Sequence, residues 1–349
     1  MAADFVEITA QLSKLKRKVD FNTYDISVKE IISWVDEDII NIAPEYQRQF
    51  RWGAERQSAL VESIFLGIPV PSLYMATNAD GTWELVDGVQ RLSSLIHFAG
   101  TSAARTKLKF KSELEMRGLE KLTFFNGLKL NDLPKSVQLE FLLKPIKITT
   151  LSDKSDADVR FDLFERLNRG GIALTNQEIR SCVFRGKFNE FIQVLSVDSD
   201  FVAVTRMNET QKKDGTQEEY VLRFFAYLNN YKNFDHSVVE FLNHYMRDAS
   251  KKFDYKAGAK IFKETFKQLA LLPNGITRGR ATTPTNLFEG VAVGAALAIR
   301  QAKNKKFNID NADVWINSKE LTSYTTGATN SRSKVTQRIE FCRDKFMNK

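Results

Sequence analysis

The chain has 349 residues, enough for two packed units, because one hydrophobic core stops growing near roughly 250–300 residues. Its 43% apolar and 27% charged residues are ordinary for a globular protein and argue against long disorder. A formal charge of +8 attracts polyanions, but it does not choose between DNA, RNA and a nucleotide, and it also suits a basic soluble protein with no nucleic-acid partner.

The 26 phenylalanines and only 7 prolines favour a helix-rich protein with aromatic cores. Cys182 and Cys342 each lie in an apolar helical stretch, which suits small buried hydrophobes better than a disulfide. The start, MAADFVEITA, has no basic region before an apolar core, so no signal peptide is expected. The longest apolar candidate for a membrane helix, Val291 to Ile299, is short and rich in Ala and Gly. The expectation is a cytoplasmic, reduced protein with no membrane partner.

In chain order, SVKEIISWV predicts a short helix followed by a brief extended segment. Pro44 biases Ala43 away from helix and starts a loop carrying Gln47, Arg48 and Arg51. AERQSALVESIFLG has helical spacing and a C-capping Gly67. SLYMAT and WELVDG predict two strands joined by an Asp-Gly hairpin turn in NADGT. A tight Asp87-Gly88 turn then leads into a helix marked by Val89, Leu92, Leu95, Ile96 and Phe98. Residues 101–144 are basic and mostly helical or irregular, and KPIKITTL predicts another strand.

A long helix is expected from about Asp156 to Asn168, closed by Arg169-Gly170-Gly171. Thr175 to Glu178 forms a capping box that starts the next helix. The polar loop NETQKKDGTQEE suggests a boundary, giving units 1–205 and 206–349. Helical patterns then follow to the C-terminus, interrupted by loops rich in Gly, Thr, Asn and Arg.

Several chemistries lack their residues. There is no P-loop, no Cys-x-x-Cys and no G-x-S-x-G, and the three histidines, His97, His236 and His244, are too few and too scattered for an HNH nuclease. Asp254-Tyr255-Lys256 resembles part of a restriction-nuclease core, but such triplets recur by chance.

Two clusters remain, Glu45 to Trp52 and Asp87 to Arg91. Each puts Gln and Arg in a loop or a first helical turn, where free backbone N–H groups and the helix dipole attract phosphate. Gly88 lets the backbone approach a ligand, and Arg91 offers a bidentate phosphate contact. Gln90 is placed to orient water or hold a phosphate oxygen, and Asp87 to hold a divalent metal or a ribose hydroxyl. The bland alternatives are an ordinary N-cap turn at Asp87-Gly88 and surface ion pairs at Arg48 and Arg51.

The run from NIAPEYQRQFRW through LVESIFLGIPVPSLYM to ELVDGVQRLSSLIHF resembles the N-terminal domain of GmrSD-type restriction enzymes, which carries a PEYQR-x-F-x-W segment and a DGQQR motif. The resemblance continues through LFERLNRGGIALTNQEIRSCVFRG, and is close over about residues 25–195. Val89 stands where the family's first Gln is usual; its place on the apolar helix face favours a packing role.

The resemblance implies an α+β protein with a ParB/sulfiredoxin-like N-terminal domain, a small mixed sheet and a mainly helical C-terminal domain. It implies a nucleotide-binding, NTP-hydrolysing component of a bacterial anti-phage or modification-dependent restriction system that acts on or senses DNA. A nucleoside triphosphate with Mg2+ is the implied cofactor. Asp87, Gln90 and Arg91 are then catalytic, with Asp87 holding the metal. Gln47, Arg48, Arg51, Gly88, Asn168 and Arg169 bind nucleotide, although Asn168-Arg169 also fits a helix C-cap.

With no HNH cluster, cutting falls to a partner nuclease or another defence-system protein. The alternatives are a non-catalytic DNA-sensing module, using Arg278, Arg280, Arg332, Lys334 and Arg338 in or beside loops, and a ParB-like nuclease.

Overall fold

Strand β1, Phe21–Ser27, ends at a serine whose hydroxyl accepts from Glu30 N at 3.2 Å and so starts helix α1, Val28–Asp36. Val28, Ile31, Ile32 and Val35 fall on one face of α1 and are buried. The structure is a computed structural model, which describes residues 7–10, 21–42, 50, 52–78, 80–151, 161–163, 165–166, 175–279, 281–301, 307–327 and 329–348. The chain divides into two compact units, residues 1–173 and 174–349.

In the first unit, β2 (Ile40–Asn41) is followed by helix α2 (Ala54–Phe65). Gly67, at φ 69°, ends α2 in the expected left-handed conformation, and Ile68 N reaches back to Ser63 O at 2.9 Å. Strands β3 (Leu73–Thr77) and β4 (Trp83–Asp87) form the expected hairpin, with Asp80 Oδ1 accepting from Thr82 N. Helix α3 (Val89–Ala99), α4 (Ser102–Lys107), α5 (Lys135–Leu142) and β5 (Pro145–Leu151) follow.

The sheet has the order β1-β5-β3-β4-β2. The β1/β5 and β3/β4 pairs are antiparallel, and the β3/β5 and β2/β4 pairs parallel, so the sheet is mixed. Leu73, Met75, Leu85 and Ile148 of the sheet share one core with Leu92, Leu95, Ile96 and Phe98 of α3. Phe65 joins α2 to this core through rings at 4.8 Å (Phe141) and 5.3 Å (Phe125).

The second unit begins at the expected capping box, where Thr175 and Glu178 exchange bonds at the start of α6 (Asn176–Val183). Helices α7 (Lys187–Ser196), α8 (Ser199–Val204), α9 (Thr216–Asn230), α10 (Val238–Lys251) and α11 (Tyr255–Leu269) follow. They are succeeded by α12 (Thr285–Gln301), α13 (Ala312–Ile316), α14 (Lys319–Thr325) and α15 (Arg332–Phe346).

The division at 173/174 precedes the expected boundary at 205/206, and packing explains why. Phe201 of α8 stacks among Phe262, Phe266 and Phe288, and Ile276 N donates to Val204 O at 2.8 Å. The Thr175 hydroxyl donates to Asp214 O at 2.7 Å, so the polar segment 208–219, whose last four residues already belong to α9, is a connector within one unit. The same packing shows where many of the phenylalanines go.

The Val291 to Ile299 stretch belongs to α12, which is buried on most of its surface, as expected of a helix that is apolar all round. Gly294 brings α12 against α15: a Cβ there would lie 2.6 Å from Cys342 Cβ. Among the described residues no helix is long and apolar enough to cross a membrane. The protein is α+β, with a five-stranded mixed sheet followed by a helical C-terminal region.

Candidate phosphate-binding site

Strand β4 ends at Asp87 and α3 begins at Val89, so a single residue, Gly88, makes the turn. Its φ of 105° lies in the region that L side chains avoid. A Cβ here would stand 2.5 Å from Leu73 Cδ2 and 3.1 Å from Arg91 Nη2. The chain's own packing therefore demands this glycine, before any ligand is considered.

Gly88 supplies no side-chain cap, so the first N–H groups of α3 are not satisfied by an N-cap side chain. Leu92 N is the first to bond within the helix, to Gly88 O at 2.8 Å. Arg91 Nη2 bonds to Asp87 Oδ2 at 2.7 Å and to Ser72 O at 3.0 Å, which holds the guanidinium over the helix start. Arg91 Nε is buried with no hydrogen-bond partner among the described residues. The Asp87 and Arg91 side chains keep 31% and 18% of their exposure, so an incoming ligand can reach them.

Gln90 Oε1 accepts from Trp52 N at 3.2 Å, tying Trp52 to α3. The tie continues through Gln57, whose Nε2 donates to Trp52 O at 2.8 Å and whose Oε1 faces His97 Nδ1 at 2.8 Å. Gln90 and His97 are two helical turns apart and lie on one face of α3.

The His97 ring stacks on Phe110 at 4.1 Å, and Phe110 meets Phe50 edge-on at 5.1 Å. Gln57 and Ser72 are members of this arrangement that the motifs do not point to, whereas Trp52 closes the Glu45–Trp52 cluster. The signal for Gln57 is a polar residue on the buried face of α2. Val89 packs against the core, which accounts for its apolar side chain. Trp83 likewise packs, against Trp34 at 5.3 Å and Tyr24 at 5.4 Å.

Burial lowers the His97 pKa from its usual value; a backbone bond at Ser112 opposes this, and Arg105 adds to it. A folded value below the unfolded value of about 6.5 means that acid favours the unfolded chain. The histidine's contribution is intact above about pH 6.5 and is lost as pH falls through the folded pKa. Thermal midpoints should therefore fall between pH 7 and pH 5, and His97→Gln should flatten that fall. Equal slopes for both proteins would show that His97 is not the titrating group.

Gln47, Arg48, Arg51, Asn168, Arg169 and Arg280 lie outside the described residues. Arg278 points inward, donating to Ile316 O and Thr325 Oγ1, each at 2.7 Å. Arg332 is exposed, with Nε on Phe234 O at 3.0 Å. Lys334 Nζ bonds Ser323 O at 2.9 Å and stands over the Tyr324 ring. Arg338 corrects the expectation of a DNA contact: it is 0% exposed and is paired with Glu289 and Thr329 O. Asp254, of the nuclease-like triplet, is the N-cap of α11, its Oδ1 accepting from Ala257 N at 3.0 Å.

Asp87 offers one carboxylate, and the described residues contain no group of three or more His, Cys, Asp or Glu able to hold a metal. That fits a magnesium ion arriving on phosphates, which needs only one or two carboxylates, and does not fit a metal caged by protein alone.

No curated protein and no solved structure matches the chain. A family model does match, that of the GmrSD restriction endonuclease N-terminal domain, over residues 28–185. This span contains the sheet from β2 to β5, the Asp87–Arg91 turn and the capped helix α6. Over these residues the chain carries a domain of the GmrSD restriction endonuclease N-terminal family.

Proposed function

We propose that the chain is the nucleotide-binding, NTP-hydrolysing component of a bacterial restriction or anti-phage system. The observation that carries this reading is the Arg91 guanidinium, fixed by Asp87 and Ser72, with a buried Nε that has no partner among the described residues, at a helix start without a side-chain cap. A phosphate seated there would meet the first turn of α3 and the Nε edge of Arg91. Asp87 would hold magnesium, which supplies charge neutralisation at the phosphates. Gln90 would act as a positioning residue, holding Trp52 at the start of α3. DNA is the substrate or signal that the restriction family suggests, and a separate nuclease would cut it.

Thermal unfolding with each nucleoside triphosphate and magnesium tests this. A ligand bound only by the folded chain adds about 2.7 kcal/mol at a hundred times its dissociation constant. One nucleotide should raise the midpoint, Arg91→Ala should cut the rise, and Arg91→Lys should keep more of it, since a point charge replaces a fork. A rise undiminished in Arg91→Ala, or none with any nucleotide in the wild type, would overturn the assignment. Phosphate release then separates hydrolysis from binding.

A further inference from the structure

The helical unit carries two adjoining cavities, remote in sequence from the Asp87–Arg91 turn. The first, of about 420 Å3, is lined by Arg185, Lys187, Lys251, Lys252 and Tyr255, and no acidic residue lines it. Lys187, Lys251 and Lys252 are exposed and have no carboxylate partner among the described residues. Helix α7 begins in this cavity, behind Gly186, without a side-chain cap. Four cations and a helix start therefore face one space, and among the described residues that line it none is acidic.

The second cavity, of about 510 Å3, shares Lys252 and Phe253 with the first. Its character is different. Phe225 and Phe253 form aromatic walls, and Asn229, Tyr245 and Arg300 supply polar groups. Asn229 Nδ2 donates to the Tyr245 hydroxyl at 2.7 Å, while Arg300 reaches Asn229 Oδ1 only at 3.4 Å and has no carboxylate partner among the described residues.

Asp248 and Asp254 also line this cavity, so it is the poorer place for a phosphate and the better place for a ring bearing amino and carbonyl groups. Phe253, the wall between the two spaces, is held by Phe188 at 4.8 Å and by Phe191, Phe225 and Tyr255 at 5.4 Å each. Gly258 leaves room for it: a Cβ there would lie 2.7 Å from the Phe253 ring. The partition is a fixed surface on which a flat ring can stack.

We propose that these joined cavities bind a phosphorylated nucleoside, with phosphate among Arg185, Lys187, Lys251 and Lys252 and the base against Phe253 beside Asn229 and Arg300. A free nucleotide and an unstacked nucleotide of a single strand present the same chemistry, and aromatic stacking beside a cationic track suits both. The site lies wholly within the second unit and is independent of the turn at Asp87.

The test is fluorescence anisotropy of the full chain with two probes, a labelled 12-nucleotide single-stranded DNA and a fluorescent ATP analogue. Wild type, Lys251→Glu/Lys252→Glu and Arg300→Gln are compared. The lysines are exposed, so their reversal should leave the fold intact, and circular dichroism checks this.

At least one probe should bind the wild type, about tenfold more weakly in the lysine variant and measurably more weakly in Arg300→Gln. On the strand, the slope of log affinity against log salt should fall by about 0.7 for each phosphate that the variant no longer neutralises. The stronger probe identifies the source of the nucleotide. The proposal is overturned if neither probe binds, if both bind the lysine variant as well as the wild type, or if polyglutamate of matched charge competes as well as the DNA.

Discussion

Glu289→Ala is expected to destabilise the second unit by about 3–5 kcal/mol, the usual cost of stripping one partner from a buried ion pair. Glu289 is 1% exposed and sits on α12, where it accepts from Arg223 Nη1 at 2.6 Å and from Arg338 Nη2. Glu219 holds the other side of Arg223, at 2.7 and 2.9 Å, and also meets Arg180 Nη1 at 3.0 Å. Arg180, 1% exposed, also donates to Asn243 Oδ1 at 2.7 Å. Burial pushes the Arg180 guanidinium down to about 10, against the pull of Glu219. Glu219 and Glu289 thus bridge Arg180, Arg223 and Arg338, and Glu289 is the carboxylate that meets Arg338 among the described residues.

Without Glu289, the bond left to Arg338 among the described residues is to the Thr329 carbonyl, and a buried, uncompensated guanidinium is the expensive product. Urea unfolding of the wild type, Glu289→Ala and Glu289→Ala/Arg338→Met reads the effect. The double variant should recover much of the loss, because replacing both partners leaves no orphan charge. A change below about 1 kcal/mol in the single variant would mean that the network is not holding α9, α12 and α15 together.

The network also marks where the sequence is harder to read. Glu289 is a lone acid in the apolar run LFEGVAV, and Arg338 falls three residues after Val335 and four before Cys342, on the buried face of α15. Both positions signal a buried pair, yet the Gly- and Thr-rich loop that precedes α15 makes Arg338 look like a surface cation.

Strand β1 escapes the sequence pattern for a related reason. It is an edge strand with most of its residues exposed, so no alternation of apolar and polar side chains marks it. Elements with strong local chemistry are legible: the Asp80-Gly81 hairpin, the Gly67 stop, the Thr175–Glu178 capping box and the start of α3. At the candidate site, the pairing of Asp87 with Arg91 follows from their spacing of four. The tie from Gln90 to Trp52 and on to Gln57 and His97 does not, because it joins residues 38 and 40 positions apart in sequence.

Gly88→Ala separates what the fold needs from what a ligand needs. The residue sits at φ 105°, and the added Cβ would meet Leu73 Cδ2 at 2.5 Å. A strained backbone costs about 1–3 kcal/mol, and overpacking a filled core costs about 1–3 kcal/mol more. Leu73 is 0% exposed, between β4 and β5 in the sheet, so it has little room to retreat.

The expected loss is therefore about 2–6 kcal/mol without any nucleotide, read as a lower urea midpoint with an unchanged slope. The same Cβ would stand 3.1 Å from Arg91 Nη2 and push the guanidinium away from Ser72 and Asp87. Nucleotide-dependent stabilisation should then fall as well, even at temperatures where the variant is still folded. If stability dropped while the nucleotide response survived in the folded fraction, Gly88 would be a packing residue only, and the position of Arg91 would not govern phosphate binding. If stability were unchanged, the turn would have another conformation open to it, and the packing argument at Leu73 would fail.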